Sequence, residues 1–194
     1  AVGAEDVYCN EDNTNYQDSQ ITVRCRGHSS SSNWQHACLD FGATSIPAES
    51  TIDACTIDFV VPATPGHDDP GLDFYVMVNA TPVTNSSGLT PIDRRDAGDL
   101  STASVEWSGT NLGTGTTHTS PELKTIIQEW VDGGDYDSTD LCIIGMYGKN
   151  LGANRRFTWA SVEHTTDAAA TITIDYTVPP AGGRKLVTAN IISS

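Results

Sequence analysis

Short runs of alternating apolar and polar residues recur along most of the chain, the period-two signature of strands with one buried face. Such runs occupy residues 7–9, 21–26, 35–41, 51–61, 72–79, 104–107, 141–147, 156–159 and 171–177. In the run 51–61, Asp53, Cys55, Ile57 and Phe59 fall on one face and Ile52, Ala54, Thr56 and Asp58 on the other. Between the runs lie turn-rich segments: 10–18, the serine-rich 27–33, the proline- and glycine-rich 62–71, and 111–117. Residues 80–101 read as a long excursion around a sheet edge.

One segment has a different period. Thr119-Ser120-Pro121-Glu122 supplies a capping residue, a proline suited to a first helical turn and an early acid. Leu123, Ile126, Ile127, Trp130 and Val131 then recur at helical spacing, and Gly133-Gly134 stops the pattern. This predicts a single short helix over about residues 120–132. Roughly nine or ten strands with one helix predict an all-β fold, a two-sheet jelly-roll β-sandwich. Residues 1–178 form that domain. Residues 179–194 are a Pro-Pro-Ala-Gly-Gly connector and a β-prone tail.

Composition narrows the function. The 194 residues carry 10 Lys and Arg against 25 Asp and Glu, a formal charge of −15. Like charge repels such a chain from nucleic acid and from anionic membranes. No apolar run is long enough to span a bilayer as a helix, and no basic-then-apolar leader is seen, as expected of a chain either made without a signal peptide or shown after its cleavage. Five cysteines, Cys9, Cys25, Cys38, Cys55 and Cys142, are an odd number without CxxC spacing. They are expected to be reduced and packed, with Cys9 and Cys25 the pair to test for a bridge.

Motifs for catalysis are missing from the sequence. It contains no G-x-S-x-G elbow, no HExxH and no phosphate-cradling glycine loop. His28, His36, His67, His118 and His164 are scattered without metal-ligand spacing. Asp132, Asp135, Asp137 and Asp140 crowd a glycine-containing turn, where oxygen ligands could gather around a structural calcium ion; an otherwise cofactor-free protein is expected. Glu11 and Asp12 with Asp18, and Asp68-Asp69 with Asp73, form two similar clusters. Tyr16 with Trp34, and Trp159 beside Arg155, are the candidate platforms for stacking on a sugar ring.

Several strings carry a family resemblance: Leu39-Asp40-Phe41, Ile46-Pro47 and Ser50-Thr51-Ile52-Asp53-Ala54; Val105-Glu106-Trp107; residues 120–130 with Gly133-Gly134 and Leu141-Cys142-Ile143-Ile144; and Thr171-Ile172-Thr173-Ile174-Asp175-Tyr176. Together they resemble DNRLRE-type jelly-roll domains over roughly residues 5–178. The resemblance implies a β-sandwich, and the setting of either a carbohydrate-associated secreted module or a phage-like structural protein. The chain departs from it at Cys38 and Cys55 and in the excursion at 80–101.

The tail adds one expectation. Arg184 and Lys185 precede the apolar, strand-prone Leu186, Val187, Ile191 and Ile192. A strand behind a connector can add to a neighbouring subunit's sheet, or fold back on its own domain. The favoured expectation is thus a non-enzymatic structural subunit of a virion surface, capsid-decorating or tail-associated, that self-associates or docks on a lattice through this tail. The alternative is a secreted carbohydrate-binding or adhesive module.

Overall fold

The computed structural model describes residues 6–12, 22–63, 67–78, 90–150, 154–179 and 184–190. Eleven strands and two α-helices lie among them. The strands are β1 (Asp6–Asn10), β2 (Thr22–Gly27), β3 (Gln35–Ala43), β4 (Thr51–Val61), β5 (Gly71–Val76), β6 (Val105–Ser108), β7 (Thr116–Thr119), β8 (Leu141–Gly148), β9 (Arg155–Ala160), β10 (Thr171–Thr177) and β11 (Arg184–Asn190). The helices are α1 (Pro91–Ala97) and α2 (Lys124–Val131). All strand pairs are antiparallel, in two sheets that form the expected all-β sandwich. One is ordered β6-β5-β8-β3-β2-β9, with β1 also paired to β3; the other is β11-β10-β4-β7.

The larger sheet curls towards a half-barrel. Residues 67–69, just ahead of β5, return to the far edge of β9: the Thr158 amide donates to the His67 carbonyl and the Asp69 amide to that of Arg156, both at 2.9 Å. The curl also brings β2 hard against the end of β8. A Cβ at Gly148 would run into the carbonyl oxygens of Arg26 and Gln35, so only glycine fits there.

Between the sheets lies one aromatic core. Phe59 packs on Phe74, Trp107, Phe157 and Trp159, with ring centroids 5.3–6.4 Å apart. A bulge corrects the simple alternation of β4. Asp175 stands opposite Ala54 but Tyr176 opposite Ile52, so Asp53 is skipped. Ile52 thereby changes phase and joins Cys55, Ile57 and Phe59 inside.

The helices differ from the expected single element at 120–132. α2 begins later, because the residues read as its cap are spent on β4. The amides of Ser120 and Leu123 donate to Ile57 and Cys55 carbonyls at 2.8 Å. Ser120 Oγ accepts the Ile57 amide, and Glu122 Oε1 accepts that of Cys55. α2 then buries Ile126, Ile127, Trp130 and Val131 against the sheet. α1 lies inside the segment read as an excursion. Thr90 and Asp93 form a reciprocal capping box, Pro91 opens the helix, and Gly98 closes it in the left-handed conformation at φ 81°.

β11 pairs with β10 of its own chain, in register from Thr171↔Asn190 to Thr177↔Arg184. The tail is therefore the edge strand of the smaller sheet, the fold-back arrangement of the two considered. Arg184, Lys185, Leu186 and Val187 lie in this strand; Ile191 and Ile192 lie outside the described residues.

Candidate functional site

A row of facing residues crosses the larger sheet on the side away from the core. Cys9 pairs with His36, His36 with Tyr147, Tyr147 with Asp73, and Asp73 with Glu106. In-register partners share a face, so these five side chains project together. α1 packs over β1 and β3 and covers one end of the row. Exposure accordingly rises along it, from His36 at 1% to the Glu106 side chain at 52%.

The covered end is held by charge. In the neutral tautomer that carries its proton on Nε2, His36 donates to Glu11 Oε2 at 2.6 Å. Arg95, from α1, donates to both Glu11 oxygens at 3.0 and 2.9 Å. The His36 bond first, and Arg95 beside it, hold the Glu11 carboxyl down at about 2. Burial pushes the His36 pKa down in turn, keeping the imidazole neutral. Tyr147 is fixed from above, its hydroxyl donating to the Pro91 carbonyl at 2.7 Å. Its ring lies 5.2 Å from that of His36 and edge-on to Tyr75 at 5.7 Å.

Where the cover of α1 ends, a groove opens. It has a volume of about 230 Å³ and is lined by Trp34, Asp73, Tyr75, Arg95, Tyr147 and Lys149 among others. Trp34 is held at its rim by the bond from Nε1 to the His28 carbonyl, 2.7 Å. Lys149 Nζ bridges Asp73 at 2.7 Å and Glu106 at 2.6 Å. Burial works against the Lys149 charge, but those two carboxylates raise its pKa overall. Lys149 lowers that of Glu106 in return. The groove thus offers three aromatic rings and fixed hydrogen-bonding groups whose charges are already matched.

Of the candidate platform residues singled out in the sequence, Trp34 alone lines this groove, where it meets Asp73 from one of the acidic clusters. Trp159 is fully buried in the core against Phe59 and Phe157, so it is no platform; its alternation with Thr158 on β9 turns it inward with Phe157. Arg155 reaches the Gly109 carbonyl at 3.1 Å instead of flanking an open ring. Tyr16 lies outside the described residues. Asp73 and Tyr75 were legible in principle as the polar face of a strand whose other face is Leu72, Phe74 and Val76.

The four-carboxylate turn is not assembled as a ligand set. Asp132 accepts from Gln128 Nε2 at 2.9 Å, Asp137 accepts from the amide and hydroxyl of Thr139, and Asp140 accepts the Asp137 amide. Asp135 lines a separate hollow with Trp130 and Tyr136. Among the described residues no group of three or more His, Cys, Asp or Glu could hold a metal ion. All five cysteines are free and buried. Burial raises the Cys9 thiol to about 12, far from the thiolate that reactivity needs. No family model and no curated protein matches the chain, which leaves the groove's own chemistry to indicate what it holds.

Proposed function

We propose that this chain is a non-enzymatic β-sandwich recognition module that binds a neutral sugar in the groove between Trp34, Tyr75 and Tyr147. The observation that carries the reading is the pairing of aromatic faces with charge-matched polar groups in a hollow the size of about one sugar ring. Flat rings stack on the C–H face of a pyranose, and the Asp73, Lys149 and Arg95 groups are placed for its hydroxyls. Lys149 and Arg95 are each already paired with carboxylates, which favours a neutral ligand over an anionic one. A hydrolytic role lacks support here, because Glu106 shifts down, opposite to what a general acid requires. A glycan array followed by calorimetry tests the proposal. Weak, saturable binding of neutral sugars that disappears in Trp34→Ala and Tyr75→Ala is expected. Absence of binding across the array, or unchanged binding in both variants, overturns it.

The position of β11 favours a second reading, a structural subunit of a virion surface or similar lattice. β11 is the terminal strand of the smaller sheet, and no further strand pairs with its outer side among the described residues. An edge strand behind a short connector can pair with or exchange into another copy. Removal of residues 184–194 is expected to reduce the assembly size seen by light scattering; an unchanged size counts against this reading.

A further inference from the structure

Four of the ten cationic side chains stand on one strand pair: Arg24 and Arg26 on β2, Arg155 and Arg156 on β9. Arg24 and Arg26 alternate with Val23 and Cys25, which face the core, so the two arginines face away from it. Arg156 stands directly opposite Arg26, and Arg24 two pairs along, on the same face, opposite Thr158. His67 joins them, since its carbonyl takes the Thr158 amide. The groups feel one another. Burial first, and then Arg24 and Arg26, lowers the Arg156 pKa; burial, Arg156 and Arg24 lower that of His67 against the opposing pull of Asp68 and Asp69.

Like charges facing each other across adjacent strands are destabilising. The other cations next to this sheet are neutralised: Arg94 by Asp99, Arg95 by Glu11, and Lys149 by Asp73 and Glu106. Among the described residues Arg24, Arg26 and Arg156 have no such ion pair. Arg26 Nε donates to the neutral Asn154 amide oxygen at 2.9 Å, and the Arg24 guanidinium lies 4.9 Å over the Tyr8 ring. The Nε atoms of Arg24 and Arg156 are buried with no hydrogen-bond partner among the described residues. A chain with 25 carboxylates has no shortage of anions to place beside these arginines, yet none among the described residues pairs with them; Asp68 and Asp69, beside His67, accept the Gly113 and Asn111 amides instead.

We propose that Arg24, Arg26, Arg156 and His67 form a binding site for a single oxyanion, the carboxylate, sulfate or phosphate group of a small ligand. Guanidinium forks match the oxygen spacing of such groups and bind them through paired, charge-assisted hydrogen bonds. The net charge of −15 keeps long polyanions away, so the fitting ligand carries one such group. This site shares no lining residue with the sugar groove, and the two stand or fall separately.

Calorimetry and thermal unfolding at matched ionic strength provide the test, with sodium sulfate, inorganic phosphate and glucuronate as probes against chloride. Saturable binding and a rise in Tm are expected for the wild-type chain. In Arg156→Gln and, as a second variant, Arg26→Gln, binding weakens by about tenfold or more. Both variants are also expected to raise Tm without added anion, because the facing charges no longer repel. Trp34→Ala leaves the anion response unchanged. A preference for glucuronate assigns a sugar carboxylate, and one for sulfate or phosphate assigns an ester. Equal behaviour of all three probes and chloride overturns the site, as does an undiminished response in both arginine variants.

Discussion

Two adjacent rows cross the same five strands and do opposite things. Tyr8, Ala37, Met146, Phe74 and Val105 face the core, while one residue further along each strand, or one back, Cys9, His36, Tyr147, Asp73 and Glu106 face outward. The inner row gains its stability from non-directional burial, which tolerates rough substitution by volume. The outer row is held by a chain of specific bonds under α1, so each member has a partner to lose. The contrast separates a face held by volume from one held by directional bonds, the face on which the proposed sugar groove lies.

The largest break falls on the inner face. Trp159→Ala removes a fully buried indole from the Phe59–Phe157 cluster and is expected to cost about 3–5 kcal/mol in chemical denaturation. Trp159→Phe sharpens this. Its Nε1 has no hydrogen-bond partner among the described residues, so the smaller ring loses volume alone and costs clearly less. A Trp159→Ala loss below about 1 kcal/mol would mean that the core does not depend on this cluster.

On the outer face, Tyr147→Phe removes one hydroxyl and strands the Pro91 carbonyl it serves. The expected loss is about 1 kcal/mol. α1 should also loosen, seen as faster amide exchange in residues 92–97 with β10 unaffected. Uniform exchange changes across both sheets would show that α1 is not pinned separately.

Most strands were legible because each buries one face and therefore alternates. The sandwich follows from them. α1 was missed although Thr90-Pro91-Ile92-Asp93 and Gly98 carry its start and stop signals. With seven residues and Ile92 as its one large aliphatic side chain, it shows no apolar stripe to mark it. The start of α2 was misjudged for a tertiary reason: Ser120 and Glu122 look like caps but serve the β4 amides. The groove was the least legible part. Its residues come from strands distant in sequence, and register is not readable from one strand at a time. Aromatic identity alone pointed to Trp159 and Trp34 equally, and only the phase along β9 separates them.

Acid separates the two rows more gently. His36 has its pKa lowered by burial, so the unfolded chain binds its proton first as pH falls. Its contribution to stability is complete above about 6.5 and fades below. Glu11 is held at about 2 against an ordinary 4.5; its contribution is present above 4.5 and is lost as pH falls towards 2. Tm should therefore decline in two stages on acidification, the second vanishing in Glu11→Gln. Glu11→Gln leaves Arg95 with Asp96 as its remaining carboxylate and removes the charged partner of His36, so its Tm at neutral pH should lie slightly below the wild type. A single unbroken decline that Glu11→Gln does not alter would place the acid response elsewhere.

The smallest effect on stability is expected at the groove's rim. Trp34 is half-buried and bonded to the backbone of its own loop at His28, outside the core cluster. Trp34→Ala should change stability by no more than about 0.5 kcal/mol while abolishing sugar binding. This dissociation is what distinguishes a recognition face from a structural one. If Trp34→Ala instead costs as much as Tyr147→Phe, the ring is a brace for the loop over His36. The groove beside it would then be an accident of how α1 meets the sheet.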